Sequence, residues 1–189
     1  MYKLFFDTET NGLPIMKNYS YYHPKNLKYY DSSRIIDIAY IIYDNDGNKI
    51  KENNYLIKPE NFTIDNSEIH GITYEQALND CKNIKEVFEE FYNDLNEYNV
   101  DSIIAHNINF DVNVILSECY RMNYKHLINI ILKINKECTM DIGKNYMKSN
   151  KNPKLINLYQ FLFSKDIVQE HRALSDTKIC AECYYKMID

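Results

Sequence analysis

Two acids stand two residues apart in "LFFDTETNGL", residues 4–13, directly after an apolar run. Side chains two apart on a strand project to the same face. A strand through Asp7 and Glu9 therefore sets two carboxylates side by side. Such a pair repels itself unless a cation is shared, and a divalent metal turns the pair into a site. A plain polar strand end, with Asn11-Gly12 as its turn pair, accounts for the same residues. Partners elsewhere in the chain decide between the two readings.

Two further stretches supply candidates. In "IIAHNINFD", residues 103–111, a buried strand ends at Ala105 and Asp111 falls in the first turn of the following helix. That places an acid at the C-terminal edge of a sheet, where open α/β sheets bind ligands. An acid favouring a helix N-terminus explains Asp111 equally, with His106 and Asn107 as ordinary loop residues. In "EHRALSDTKICAEC", residues 170–183, His171 precedes a helix and Asp176 is fixed on it. An imidazole exchanges its proton near neutral pH, so this pairing suits a base beside a metal-held water. A solvated helix start is the structural alternative.

The elements that must position these groups are legible from periodicity. Apolar and β-branched runs predict strands over residues 2–7, 34–44, 49–59, 101–106 and 137–141, with "NDGN", 45–48, as a hairpin turn. Helices are expected over 73–80, 83–98, 110–124, 155–163 and 173–188; in the second, Ile84, Val87, Phe88, Phe91 and Leu95 share a face. A hairpin followed by alternating strands and helices predicts an α/β domain with a mixed sheet. The segment "PIMKNYSYYHPKNLKYYDSS", 14–33, has two prolines and no helical period and reads as a long loop or insertion. Its tyrosines and lysines fit either an aromatic-basic strip for single-stranded nucleic acid or a solvated insertion.

The bulk properties bound the answer. The chain has 189 residues, enough for one domain, and 45% hydrophobic residues, enough for a core. Its net charge of −5 is unlike that of a duplex-coating protein. No run approaches a membrane span, no secretory signal is evident, and five cysteines without framework spacing fit free thiols. The expected location is intracellular, cytoplasmic or nuclear. Cys180 and Cys183 form C-x-x-C within a helix and lack the second pair a zinc site needs. Asp37 and Asp44 read as structural.

Taken together, D-x-E after the first strand, an acid after a buried central strand and H-x4-D opening the last helix form a pattern. It resembles the DnaQ-like 3′-5′ exonucleases of the four-acid-plus-histidine (DEDDh) type. The matching residues are "FDTETNGL", "AHNINFD" and "HRALSD", with "IHGIT", 69–73, as a further similar segment. The match runs over essentially the whole chain, residues 1–189, read as one exonuclease domain. Asn11 stands where the family often has threonine, and the 14–33 segment is longer than in compact members.

The resemblance implies a ribonuclease H-like α/β fold, a mixed sheet flanked by helices. It implies two divalent ions, Mg2+ or Mn2+, held by Asp7, Glu9, Asp111 and Asp176 about 4 Å apart. One would activate water, the other would stabilise the leaving 3′-oxygen, and His171 would be the general base. Substrate contacts are expected from Thr8, Thr10, Leu13, His70, Asn107 and Phe110, with Asp65 near His70. The implied partner is a nucleic acid with a free 3′ end, DNA ahead of RNA, with a polymerase as a partner in trans. An exoribonuclease and an inactive nucleic-acid-binding domain are the alternatives; the presence of all four acids and the histidine opposes the second.

Overall fold

The structure, a computed structural model, describes residues 1–64, 67, 71–79, 81–168 and 170–188. Its main sheet has six strands in the order β6-β5-β4-β1-β7-β8. They are β1 (Tyr2–Thr10), β4 (Ile35–Tyr43), β5 (Lys49–Ile57), β6 (Cys81–Lys82), β7 (Val100–Ala105) and β8 (Asn135–Cys138). A separate two-stranded hairpin is formed by β2 (Met16–Lys17) and β3 (Ser20–Tyr21). The helices are α1 (Tyr74–Asn79), α2 (Ile84–Glu97), α3 (Ile108–Arg121), α4 (Lys125–Lys133), α5 (Thr139–Tyr146), α6 (Leu155–Phe163) and α7 (Ala173–Ile188).

β1 pairs antiparallel with β4 and parallel with β7; β4 and β5 form the hairpin. The hairpin turn is held by Asp44, whose Oδ1 accepts from the amides of Asp46 (2.9 Å) and Asn48 (2.8 Å). Gly47 lies in the left-handed region at φ 76°, which a residue with a Cβ adopts with difficulty. Asp44 is thus structural, as its position predicted.

Alternation along β1 divides the molecule into layers. Leu4 and Phe6 join one core cluster with α2, α3 and α4, while Phe5 joins a second with α6 and α7. β4 is covered on both faces and is buried along nearly its whole length, which is why its sequence is a near-continuous apolar run. α2 begins at Asn83, whose side chain accepts from the Lys85 amide at 2.8 Å. Its predicted apolar face is the one buried.

The elements differ from expectation at four places. β1 runs on to Thr10, so Glu9 as well as Asp7 lies within the strand. The strand expected over 137–141 is β8, Asn135–Cys138; its parallel ladder ends at the Ala105–Cys138 pair, and the chain turns at once into α5. α4 was not anticipated, although Leu127, Ile128 and Ile131, all buried, carry a helical spacing. The 14–33 segment is not an open loop. It holds the β2–β3 hairpin and a 3-10 helix, Leu27–Tyr29.

Candidate active site

Odd and even positions of β1 address the site from different sides. Asp7 and Glu9 follow Phe5 on the face that meets α7. Thr8 points to the opposite face, is buried, and donates from its amide (3.0 Å) and its hydroxyl (2.7 Å) to Oδ1 of Asp111. These two bonds tie the start of α3 to β1. The Thr8 hydroxyl, expected at the substrate, here donates to a carboxylate. Opposite Asp7 on β4 lies Ala39, and opposite Glu9 lies Asp37. The small Ala39 lets α7 pack closely across β1 and β4.

α7 carries Asp176 in its first turn, buried. His171 lies just before the helix, exposed, in a left-handed conformation at φ 50°. One ligand atom each of Glu9, His171 and Asp176 lies within 4.8 Å of the others. Asp111 belongs to the same electrostatic cluster, because it and Asp176 act on both Asp7 and Glu9. The four acids and the histidine of the sequence pattern thus converge from β1, α3 and α7.

The cluster is poorly suited to being fully ionised alone. Burial, then the charges of Asp111, Asp176, Glu9 and Asp37, push the Asp7 carboxyl well above its ordinary range. Burial and the neighbouring carboxylates lift Glu9 to about 8, with Arg172 pulling back. Burial raises Asp111 to about 7 against the two hydrogen bonds from Thr8. A divalent cation is the natural counter-charge, and a donor set of carboxylate oxygens fits a hard ion.

Asp37, expected to be structural, is a fifth acid of this cluster. It is completely buried, acts electrostatically on Asp7 and Glu9, and accepts from Arg172 Nε at 3.0 Å. Burial raises its carboxyl and Arg172 lowers it, and burial prevails. The available signal was an acid inside the apolar run "RIIDIAYIIYD". His106, immediately after β7, was also underread. Its Nε2–H donates to the Pro153 carbonyl (3.0 Å) and its Nδ1 faces the Thr139 hydroxyl (3.0 Å). Burial lowers its pKa, so the ring is a neutral clamp between β7, α5 and the lead-in to α6.

The other expected contacts are distributed unevenly. Thr10 donates its hydroxyl to the Gly12 carbonyl (2.7 Å), and Leu13 is 76% exposed. Asn107 precedes α3 in a left-handed conformation, and Phe110 packs partly against the core. His70 and Asp65 lie outside the described residues. Cys180 and Cys183 are free thiols, both buried, and Cys180 packs against the Thr139 hydroxyl. Burial pushes both thiols up, Cys183 to about 12, which opposes a metal thiolate.

Comparisons with known proteins give the family and the fold. The model of the exonuclease family RNase_T matches residues 4–184. The DNA polymerase III subunit epsilon of Treponema pallidum is 26% identical over 187 residues, 97% of this chain and 74% of that protein. The PolC-type DNA polymerase III of Caldanaerobacter subterraneus subsp. tengcongensis is 30% identical over 116 residues, 61% of this chain but 8% of that protein. Among solved structures, E. coli exonuclease I with a dT13 oligonucleotide superposes with TM-score 0.72 at 18% identity, over 99% of this chain and 40% of that one. A 3′-exonuclease recognising a histone mRNA stem-loop gives 0.70 at 13% identity, over 99% and 63%. These likenesses place the six-stranded mixed sheet with the ribonuclease H-like exonucleases. With its family model spanning all three motifs, the chain belongs to the DnaQ-like exonuclease family.

Proposed function

We propose that this chain is a metal-dependent 3′-5′ exonuclease that releases nucleoside 5′-monophosphates from single-stranded or frayed DNA 3′ ends. The observation that carries the reading is the convergence of Glu9, His171 and Asp176 within 4.8 Å, with Asp7 and Asp111 in the same electrostatic cluster. Asp7, Glu9, Asp111 and Asp176 would hold two divalent ions, Mg2+ or Mn2+, which when bound supply charge neutralisation and Lewis acidity.

The chain's own groups do the rest. Thr8 fixes the Asp111 carboxylate through two hydrogen bonds, so this acid is oriented before substrate arrives. His171, exposed beside Glu9 and Asp176, accepts the proton of the attacking water. The water oxygen bonds to phosphorus, the bond from phosphorus to the 3′-oxygen breaks, and that oxygen takes a proton from solvent. Leu13, exposed at the end of the first motif, lies against the terminal base, with Thr10, Asn107 and Phe110 as further contacts.

DNA is favoured over RNA because the two sequence relatives are DNA polymerase III proteins, which also supports a polymerase as partner. The test is a 5′-labelled single strand, as DNA and as RNA, incubated with magnesium. Stepwise shortening with 5′-monophosphate release is expected, faster on DNA, and abolished by Asp7→Ala or His171→Ala. No shortening of either strand, or undiminished activity after His171→Ala, refutes the mechanism; faster RNA cleavage reassigns the substrate.

A further inference from the structure

The 14–33 segment has no part in the acid cluster, yet it is firmly built. The Ile15 amide donates to the Tyr29 carbonyl at 2.9 Å, and Tyr30, completely buried, donates its hydroxyl to the Tyr22 carbonyl. The rings of Tyr22 and Tyr29 stack at 3.6 Å and 7°. On this base stands the β2–β3 hairpin, whose two turn residues, Asn18 (φ 50°) and Tyr19 (φ 62°), are both left-handed. Asparagine tolerates that conformation; tyrosine seldom adopts it. Tyr19 is also 98% exposed, so nothing in the fold rewards an aromatic ring there.

The hairpin walls a cleft of about 900 Å3, lined by Tyr19, Tyr21, Tyr22, Asn107, Asn109 and Met140 among others. The cleft adjoins the acids: Asn107 in its wall is the N-cap of α3, four residues before Asp111, whose charge acts on the Tyr21 hydroxyl. Its walls carry tyrosines, asparagines and Met140 but no lysine or arginine, and Asp141 is its one acid. Such a surface stacks on and hydrogen-bonds nucleobases rather than gripping phosphates. Lys17, Lys25 and Lys28 lie exposed on the same segment, against one acid, Asp31, so this arm is cationic within a chain of net charge −5.

We propose that this tyrosine arm is a binding subsite for single-stranded nucleobases on the 5′ side of the terminal nucleotide, with Tyr19 as the stacking platform. The proposal rests on the exonuclease reading and names how that site takes its substrate. The cleft lies beside the acids without including them, so it receives the strand behind the scissile phosphate.

The experiment compares wild type, Tyr19→Ala and Tyr19→Phe. Binding of a fluorescent phosphorothioate oligothymidylate is followed by anisotropy, beside hydrolysis of ordinary oligothymidylate and of thymidine 5′-monophosphate p-nitrophenyl ester. Tyr19→Ala should weaken binding and raise the oligonucleotide KM by about tenfold. kcat and hydrolysis of the ester, which has no upstream base, should be unchanged. Tyr19→Phe, which keeps the ring, should behave as wild type. A strand carrying abasic sites upstream should bind Tyr19→Ala and wild type equally. Unaltered oligothymidylate binding by Tyr19→Ala, or an equal loss on the abasic strand, overturns the proposal. An equal loss on the ester moves the contact to the terminal nucleotide and overturns it too. Wild type that hydrolyses neither substrate defeats the exonuclease reading instead, and the anisotropy still judges the arm.

Discussion

Replacing Arg172 with methionine should harm this protein far more than replacing its partner Asp37 with asparagine. The Arg172 Nε–Asp37 Oδ2 contact is 3.0 Å; the Asp37 side chain is fully buried, whereas the Arg172 side chain is 38% exposed. Losing the arginine leaves a carboxylate buried among Asp7 and Glu9 with its counter-charge gone. Breaking a buried pair in this way costs ~3–5 kcal/mol, and the exposed arginine argues for the lower end, ~3 kcal/mol. For a chain of this size that lowers Tm by about 6–12 °C. Losing the aspartate leaves only a partly solvated guanidinium and removes a like charge from Glu9, so its cost should stay near or below ~1 kcal/mol. The double variant should resemble Asp37→Asn, giving a strongly non-additive cycle. The Arg172→Met penalty should shrink toward acid pH, because an orphaned Asp37, already raised by burial, can then take up a proton. Activity should fall as well, since Arg172 anchors the residue next to His171, whose left-handed conformation depends on its surroundings. Thermal melts of the three variants, with rates on the p-nitrophenyl ester, are the assay. Equal losses from the two single substitutions, or additive ones in the double, would refute the reasoning.

The metal-free protein should lose stability as pH rises. Glu9 is lifted from 4.5 to about 8 and Asp111 from 3.8 to about 7. The folded state therefore holds protons that the unfolded chain releases first, so this stabilisation is present at low pH and lost as pH climbs through the raised values. Melting in EDTA should show Tm falling from about pH 5 to about pH 8, with magnesium restoring most at the upper end; a flat EDTA profile would contradict the assigned burial. Gly12→Ala should destabilise by about 1–3 kcal/mol, because its Cβ would meet the Ser32 carbonyl oxygen at 2.9 Å and a backbone atom cannot swing aside. Urea denaturation would check this, and a neutral result would show that the 14–33 segment yields easily.

The fold class and the placement of the acids were both legible in short-range pattern. Asp7 and Glu9 follow strand alternation, and Asp111 and Asp176 fall in helical first turns, so their relative placement comes from short-range periodicity. Asp37 escaped because its meaning is non-local: only the antiparallel register that sets it against Glu9, and the approach of Arg172, make it part of the cluster. The bond from Thr8 to Asp111 is invisible in the sequence for a similar reason. Its flanking acids are near in sequence, while its partner Asp111 is distant. The arm over 14–33 was illegible as structure because its order comes from tyrosine packing and turn geometry, neither of which leaves a hydrophobic period.

The acids come from widely separated stretches of chain, and this sets when the activity can exist. A polypeptide emerging from the ribosome acquires Asp7, Glu9 and Asp111 long before His171 and Asp176. Until α7 docks across β1 and β4, the early acids face solvent without their fourth member or their base. A partly made or locally unfolded copy therefore carries an incomplete acid cluster. The acid cluster is completed in the same step that closes the second core cluster.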